Sequence, residues 1–480
     1  LEEKKFVKEI QSKEDDYSRW YLDIVKKADL MDYGPVKGTM IIKPYGYAIW
    51  ENIQKDLDRR FKETGHENAY FPLLIPESYL QKEMNHVEGF APEVAWVTQG
   101  GNETLEERLV VRPTSETIIC ASMSQWIQSY RDLPLLLNQW ANVMRWEKVT
   151  KPFLRTSEFL WQEGHTAHAT YEDAEEETIR MLNVYQEFVE ETLAMPVIKG
   201  RKTENEKFAG AEHTYSIEAL MSDGKALQAG TSHNLGQNFS KVFDIQFSDK
   251  ENKLQYVYQT SWGASTRLIG GLIMTHSDDR GLALPPNVAP IQVVIIPILR
   301  GDKELVRDKA KSIASDLKKL GIRVKVDDRE EMTPGWKFNE YEMRGVPIRI
   351  EIGPKDIEKG QFVLARRDTG EKEFLQLADI NSIISDKLTE IQQNMLNKAK
   401  GFVDTHTYEI NSIDELEEQL QKERGFFKSW WCGELNCLDK IKEETGVTAR
   451  NIPFEQREGH SKCVNCDNES TTTIILARAY

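Results

Sequence analysis

Between Leu137 and His168 lies a run suited to holding an anion beside a flat aromatic group. It reads Arg145-Trp146-Glu147, a connection with Lys148, Lys151 and Pro152, then Arg155-Thr156-Ser157-Glu158-Phe159-Leu160-Trp161-Gln162-Glu163. Residues two apart on a strand point to the same face. Arg145 and Glu147 would share a face of the outgoing strand, and Arg155, Phe159, Trp161 and Glu163 a face of the returning one. Arginine grips phosphate through paired hydrogen bonds, and an aromatic face stacks on a purine. A salt-bridged amphipathic hairpin explains one Arg-x-Glu; six matched positions favour a binding surface.

Other stretches carry chemistry too. Ser261-Trp262-Gly263-Ala264-Ser265-Thr266-Arg267 leads through small residues to an arginine, which alone could be a tight turn with a surface charge. The stretch Glu342 to Asp356 carries side chains of mixed sign, able to read the edges of splayed bases, or is simply a solvated charged edge strand. Cys432 and Cys437 (C-x4-C) and Cys463 and Cys466 (C-x2-C) have the spacing of two knuckles of a structural four-thiolate zinc site. His460 is an alternative fourth ligand, and free or disulfide-bonded thiols are the plain reading. Cys120 stands apart and reads as a small buried residue.

These residues need elements to hold them. A helix from Pro44 places Ile49, Ile53, Leu57 and Phe61 on one face, with Trp50 beside them, and stops at Gly65. Asn68 to Leu74 reads as a short strand kept off central positions by Pro72. A second helix is expected from about Asp173 to Ala194, with Glu175, Glu176 and Glu177 at its positive end. Leu284-Pro285-Pro286-Asn287 looks like a linker. Beyond it, strands at Ile291–Ile298, Ile322–Val326, Val346–Ile352 and Gln361–Ala365 alternate with helices at Lys303–Leu320 and Ile380–Lys400, as in an α/β domain. The division expected is therefore 1–286, 287–400 and 401–480, in line with about three domains for 480 residues.

Composition narrows the function classes. No apolar run is long enough to span a membrane, and the charged stretch from Leu1 to Lys13 has no signal-peptide core. Five cysteines, four of them near the end, indicate a reduced, cytoplasmic setting. A net charge of −16 argues against indiscriminate coating of nucleic acid. Residues 290–400 are an exception, with 21 Lys and Arg against 19 Asp and Glu.

Taken in order, the motifs resemble those of the class II aminoacyl-tRNA synthetases. The helix before Tyr70-Phe71-Pro72 resembles motif 1, whose proline lies at a dimer interface. Arg145 to Glu163 resembles motif 2, and Ser261 to Gly271 resembles motif 3. Arg112-Pro113-Thr114-Ser115-Glu116 is similar to the Thr-x-Glu segment of prolyl-tRNA synthetases, where threonyl enzymes have a zinc-binding Cys-Pro. Phe90-Ala91-Pro92-Glu93, Trp161 to His168, Lys207-Phe208-Ala209-Gly210 and Gln228 to Gly236 also look prolyl-type, and the short spacing from Glu163 to Trp262 and the terminal Tyr480 resemble the archaeal and eukaryotic kind.

The resemblance implies an α+β catalytic domain, an antiparallel sheet flanked by helices. An α/β anticodon-binding domain and a small α/β zinc-binding domain would follow. It implies ATP-dependent attachment of proline to tRNA(Pro) through a prolyl-adenylate, by a homodimer in the cytoplasm with no membrane contact. The secondary ammonium of proline needs acceptors, which Thr114 and Glu116 would supply. Trp161, Phe208 and His233 would wall the ring, with Glu163 and His165 nearby. Arg145 would bridge the carboxylate and α-phosphate, and Arg155 and Arg267 the outer phosphates with Mg²⁺. Phe159 would stack on adenine, Glu147 accept its amino group, and Gln228, Thr231 and Ser265 contact the nucleotide. By the same match Glu342, Arg349, Lys355 and Asp356 would meet the anticodon and Arg366 a phosphate. About 100 residues separate Glu163 from Trp262, too few for an editing insertion. A carboxylate at Tyr480 is expected near the catalytic domain. A threonyl or seryl enzyme, or a regulatory protein of the same fold, is the competing reading.

Overall fold

The computed structural model describes residues 10–84, 93–466 and 468–480. Of the expected prolyl-type stretches, Phe90-Ala91-Pro92 lies outside the described residues. Helix α1 (Pro44–Glu63) begins on proline, whose missing N–H is no loss in the first turn. It buries Ile49, Trp50, Ile53, Leu57 and Phe61, and the chain turns away at Gly65, where φ is +89°.

The main sheet is built from β1 (Leu135–Met144), β2 (Glu158–His168), β3 (Val197–Arg201), β4 (His213–Leu220), β5 (Ala226–Gly236) and β6 (Tyr258–Ser265), in the order β3-β4-β5-β6-β2-β1. All neighbours among these six are antiparallel. Helix α2 (Tyr171–Glu191) packs across β4, β5 and β6. It starts earlier than expected because Thr170 caps it, accepting from Asp173 N at 3.1 Å, so Glu172 and Asp173 fill the first turn. Helix α3 (Arg267–His276) follows β6 directly.

Two expectations change. Asn68 to Leu74 is not one strand. Glu67–Asn68 pairs with β1 at the sheet edge, and Leu74–Pro76 joins a separate three-stranded sheet. Pro72 has no N–H, and Phe71 N donates to the Gln139 side chain at 2.5 Å, so no ladder runs through. Likewise β1 ends at Met144 and β2 begins at Glu158, which leaves Arg145, Glu147 and Arg155 in the connection. There Glu147 N bonds back to Arg145 O at 2.8 Å and closes a tight turn.

Past Leu284 a five-stranded sheet holds Val324–Val326, Val293–Pro297, Ile348–Ile352, Gln361–Arg366 and Lys372–Gln376. Its first three strands are parallel and the rest antiparallel, around a core of Ile295, Ile350, Phe362 and Ile384. Helix α4 (Ile380–Thr405) runs on past residue 400. The final strands β7 (Phe426–Trp431), β8 (Thr448–Pro453) and β9 (Thr472–Ala477) pack with the Leu435–Thr445 helix around Leu416, Phe427, Leu438 and Ile474. They are not a separate sheet. Ile452 and Pro453 of β8 pair with Arg201 and Gly200 of β3, and the combined sheet has eleven strands.

Candidate active site

β2 presents Phe159, Trp161, Glu163 and His165 on one face. Opposite Glu163 in register lie Gln139 of β1 and Gly263 of β6. On the far side, β4 and β5 bring Thr214, Gln228, Thr231 and His233 to the same cleft. The cavity measures about 310 Å³. At one end stand Thr114, Glu116, Trp161, Glu163, His165, Phe208 and His233; at the other, Arg145, Phe159, Gln228, Thr231, Ser265 and Arg267. A smaller adjoining hollow adds Glu147 and Arg155 to Arg145, Phe159, Ser265 and Arg267. Three guanidinium groups, two from the β1–β2 connection and one from the start of α3, thus converge.

Thr114 to Glu116 open the Glu116–Trp126 helix. Arg112 before them is buried, donating to Asn142 O at 2.8 Å and Phe71 O at 2.6 Å, so it anchors the segment to β1. Arg145 Nε donates to Pro113 O at 3.0 Å and ties the motif 2 connection to the same segment. The Thr114 hydroxyl donates to Glu116. Arg145 also lies over Phe159 and Trp161, 5.4 and 5.6 Å from the ring centroids.

Glu163 is a support as much as a contact. Ser115 Oγ (2.5 Å) and Gln139 Nε2 (2.9 Å) donate to its Oε1, and His165 Nε2 lies 3.0 Å from Oε2. Burial pushes this carboxyl upward, but His165 and the two donors outweigh it and leave it below its ordinary value. Burial also opposes the His165 charge, yet Glu163 and then Glu116 raise its pKa. His233 goes the other way. Burial, with the charge of His165, depresses it to about 3, so it is neutral. Thr214 orients it: the hydroxyl accepts from Phe208 N at 2.9 Å and lies 2.9 Å from His233 Nδ1. Phe208 and His233 then present tilted rings 4.7 Å apart, a flat wall for an apolar ring.

At the cationic end, Arg155 Nε lies 3.7 Å from Glu147 and is open to solvent. Arg267 Nε donates to Leu154 O at 3.1 Å. Burial and the like charges of Arg145 and Arg155 pull the Arg267 pKa down, against the attraction of Glu218 and Glu147. Such crowding of positive charge attracts an anion to the hollow. Residues 96–276 match the family description "tRNA synthetase class II core domain (G, H, P, S and T)", residues 292–387 "Anticodon binding domain", and residues 413–480 "Prolyl-tRNA synthetase, C-terminal".

The chain belongs to the prolyl-tRNA synthetases.

It is 60% identical to the proline–tRNA ligase of Alkaliphilus oremlandii over all of this chain and 99% of that protein. The same identity is found with the ligase of Natranaerobius thermophilus, over 99% of each. A crystal structure of the Cryptosporidium parvum prolyl-tRNA synthetase, complexed with halofuginone and AMPPNP, superposes with a TM-score of 0.94. That enzyme is 43% identical and covers 98% of this chain and 99% of its own. Membership makes the chain an enzyme, a ligase of proline and tRNA that uses ATP.

The residues expected to meet the anticodon are placed unevenly. Glu342 ends the Pro334–Met343 helix and pairs with Arg280 at 3.2 Å. Arg349 pairs with Glu351 at 2.9 Å and lies over Phe338. Asp356 caps Gly353 N at 2.8 Å, and Lys355 is exposed beside it. Arg366 was expected on phosphate; instead it is buried against Asp368 (2.7 Å) and Glu390. Two carboxylates hold it inside, so that role is withdrawn.

The four cysteine sulfurs all lie within 4.8 Å of one another, with Cys432 3.7 Å from Cys437 and 3.8 Å from Cys466. A tetrahedral site with Zn–S bonds of about 2.3 Å has S–S edges of about 3.8 Å, so the thiolates fit a metal ion. His460 is exposed and is not part of the cluster. Tyr480 docks on the catalytic unit through its backbone and hydroxyl, which donate to Ala226 O (3.1 Å) and Asp223 (2.7 Å). Cys120 is buried, as expected. Among the described residues, no helix is long and apolar enough to cross a membrane.

Proposed function

We propose that the cleft activates proline in two steps: attack of its carboxylate on the α-phosphorus of ATP, then transfer of the prolyl group to tRNA(Pro). The convergence of Arg145, Arg155 and Arg267 carries this reading. Two anions must approach each other, and positive charge fixed in place lowers that barrier without reorganisation. Arg145, between the acceptor segment and Phe159, bridges carboxylate and α-phosphate. Arg155 and Arg267 hold the outer phosphates, Phe159 stacks on adenine, Glu147 accepts its amino group, and Gln228, Thr231 and Ser265 contact the nucleotide. Mg²⁺ would enter as the counterion of the triphosphate and reduce its charge. Thr114 and Glu116 receive the ammonium, while Trp161, Phe208 and His233 wall the ring, backed by Glu163 and His165.

Zinc at Cys432, Cys437, Cys463 and Cys466 would be structural, since four thiolates leave no open position. The catalytic, anticodon and zinc units are taken as 1–286, 287–400 and 401–480, and Glu342, Arg349, Lys355 and Asp356 as the anticodon contacts. A homodimer is supported by the exposed Tyr70, Leu74, Trp96 and Trp126 near the motif 1 proline, and a cytoplasmic setting by the five cysteines, all free thiols. The absence of an editing insertion is supported by the stretch between β2 and β6, whose α2 and β3 to β5 all belong to the catalytic layer. Pyrophosphate exchange assayed with each amino acid tests the core reading. Proline dependence is expected; dependence on threonine or serine, or none, overturns it.

A further inference from the structure

Where β8 joins β3, the C-terminal unit also reaches into the catalytic sheet with a charge. Arg450 donates through Nε (3.2 Å) and Nη2 (3.1 Å) to Glu218 Oε2 on β4. The other oxygen accepts from Lys202 Nζ at 2.8 Å and Ser216 Oγ at 2.9 Å. All three charged groups are buried, Glu218 completely. Glu218 pairs in register with Gln228 on β5 and so shares its face, the face that carries the nucleotide end of the cleft. Arg267, at that end, has no ion pair with a carboxylate among the described residues; its Nε is held by a backbone carbonyl. The charge of Glu218 nevertheless attracts it, more strongly than that of Glu147.

Without Arg450, Glu218 keeps Lys202 and Ser216 on one oxygen, but its buried Oε2 loses both donors and needs another. We propose that Arg450 is a positioning residue for proline activation: it holds Glu218 aside and so keeps the Arg267 guanidinium free for the phosphates of ATP. The C-terminal unit thereby completes the nucleotide site without touching it. This inference rests on the reading of the cleft given above.

The test is pyrophosphate exchange at varied ATP and varied proline. Arg450→Met raises the KM for ATP about tenfold while that for proline stays within about twofold. Adding Glu218→Gln to Arg450→Met restores the ATP KM toward wild type, because a neutral amide no longer competes for Arg267. Arg450→Lys gives a smaller rise confined to ATP, and it decides the matter if the Met variant melts before assay. Equal rises in both KM values, an unchanged ATP KM, or a double variant no better than the single one overturns the proposal. If the wild type shows no proline-dependent exchange, the underlying reading falls and this inference with it. If it does and the ATP KM ignores Arg450, only the positioning role falls.

Discussion

Glu116 sits at the start of a helix, where its carboxylate receives Thr114 and faces the cavity. A charge-assisted hydrogen bond to the substrate ammonium is worth about 1.5–3 kcal/mol. Glu116→Ala should therefore raise the proline KM by about tenfold or more and leave the ATP KM nearly unchanged; matched increases would remove its assignment. The sequence revealed the residues that line the cleft better than those that hold them. Odd numbering along one strand was enough for Phe159, Trp161 and Glu163. Ser115 and Gln139, which fix Glu163, and Thr214, which orients His233, are ordinary polar residues that gain meaning only from neighbours far along the chain. Gln139 could have been found, since it lies opposite Glu163 once the hairpin register is set.

Motif 2 shows why a pattern two residues long misleads at strand ends. The turn closed by Glu147 N takes Arg145 and Glu147 off the ladder, yet leaves them at the mouth of the cleft. The Lys372–Gln376 strand escaped notice because it is a short edge strand whose exposed positions, Lys372, Phe374 and Gln376, mix charged, aromatic and polar types. One sequence detail explains close packing between strands: Gly164 of β2 lies opposite Trp262 of β6. A Cβ there would come within 2.0 Å of the indole, which Phe61 (4.9 Å) and Tyr185 (6.2 Å) back from behind. Gly164→Ala should cost about 1–3 kcal/mol, seen as a lower urea midpoint with unchanged slope; a midpoint equal to wild type would contradict the packing.

Buried histidines set the acid response of the molecule. Burial holds His168 and His276 at about 4, and burial with the charge of His165 holds His233 at about 3, against an ordinary 6.5. The unfolded chain takes up these protons first, so stability is lost as pH falls from about 6.5 toward 4, by up to about 1.4 kcal/mol per unit for each group. His165, raised by Glu163, has the opposite sign and favours the fold until pH climbs past its folded value. Melting temperatures should fall steadily between pH 6.5 and 4.5; a flat profile would refute this. A strong chelator should lower the melting temperature of the C-terminal unit, and metal analysis of fresh protein should find about one zinc per chain; none would dismiss the thiolate site. The proposed three-part division rests on composition and the proline-rich linker. The union of sheets could not be read from the sequence, because only two register pairs at β8 and β3 make it, from residues some 250 apart in sequence. That seam has a practical corollary: a chain cut before Thr448 would leave Val197–Arg201 as a bare edge offering unpaired amides and carbonyls to any passing strand. Such a fragment should clump and precipitate, which light scattering would detect; a monodisperse fragment would contradict this.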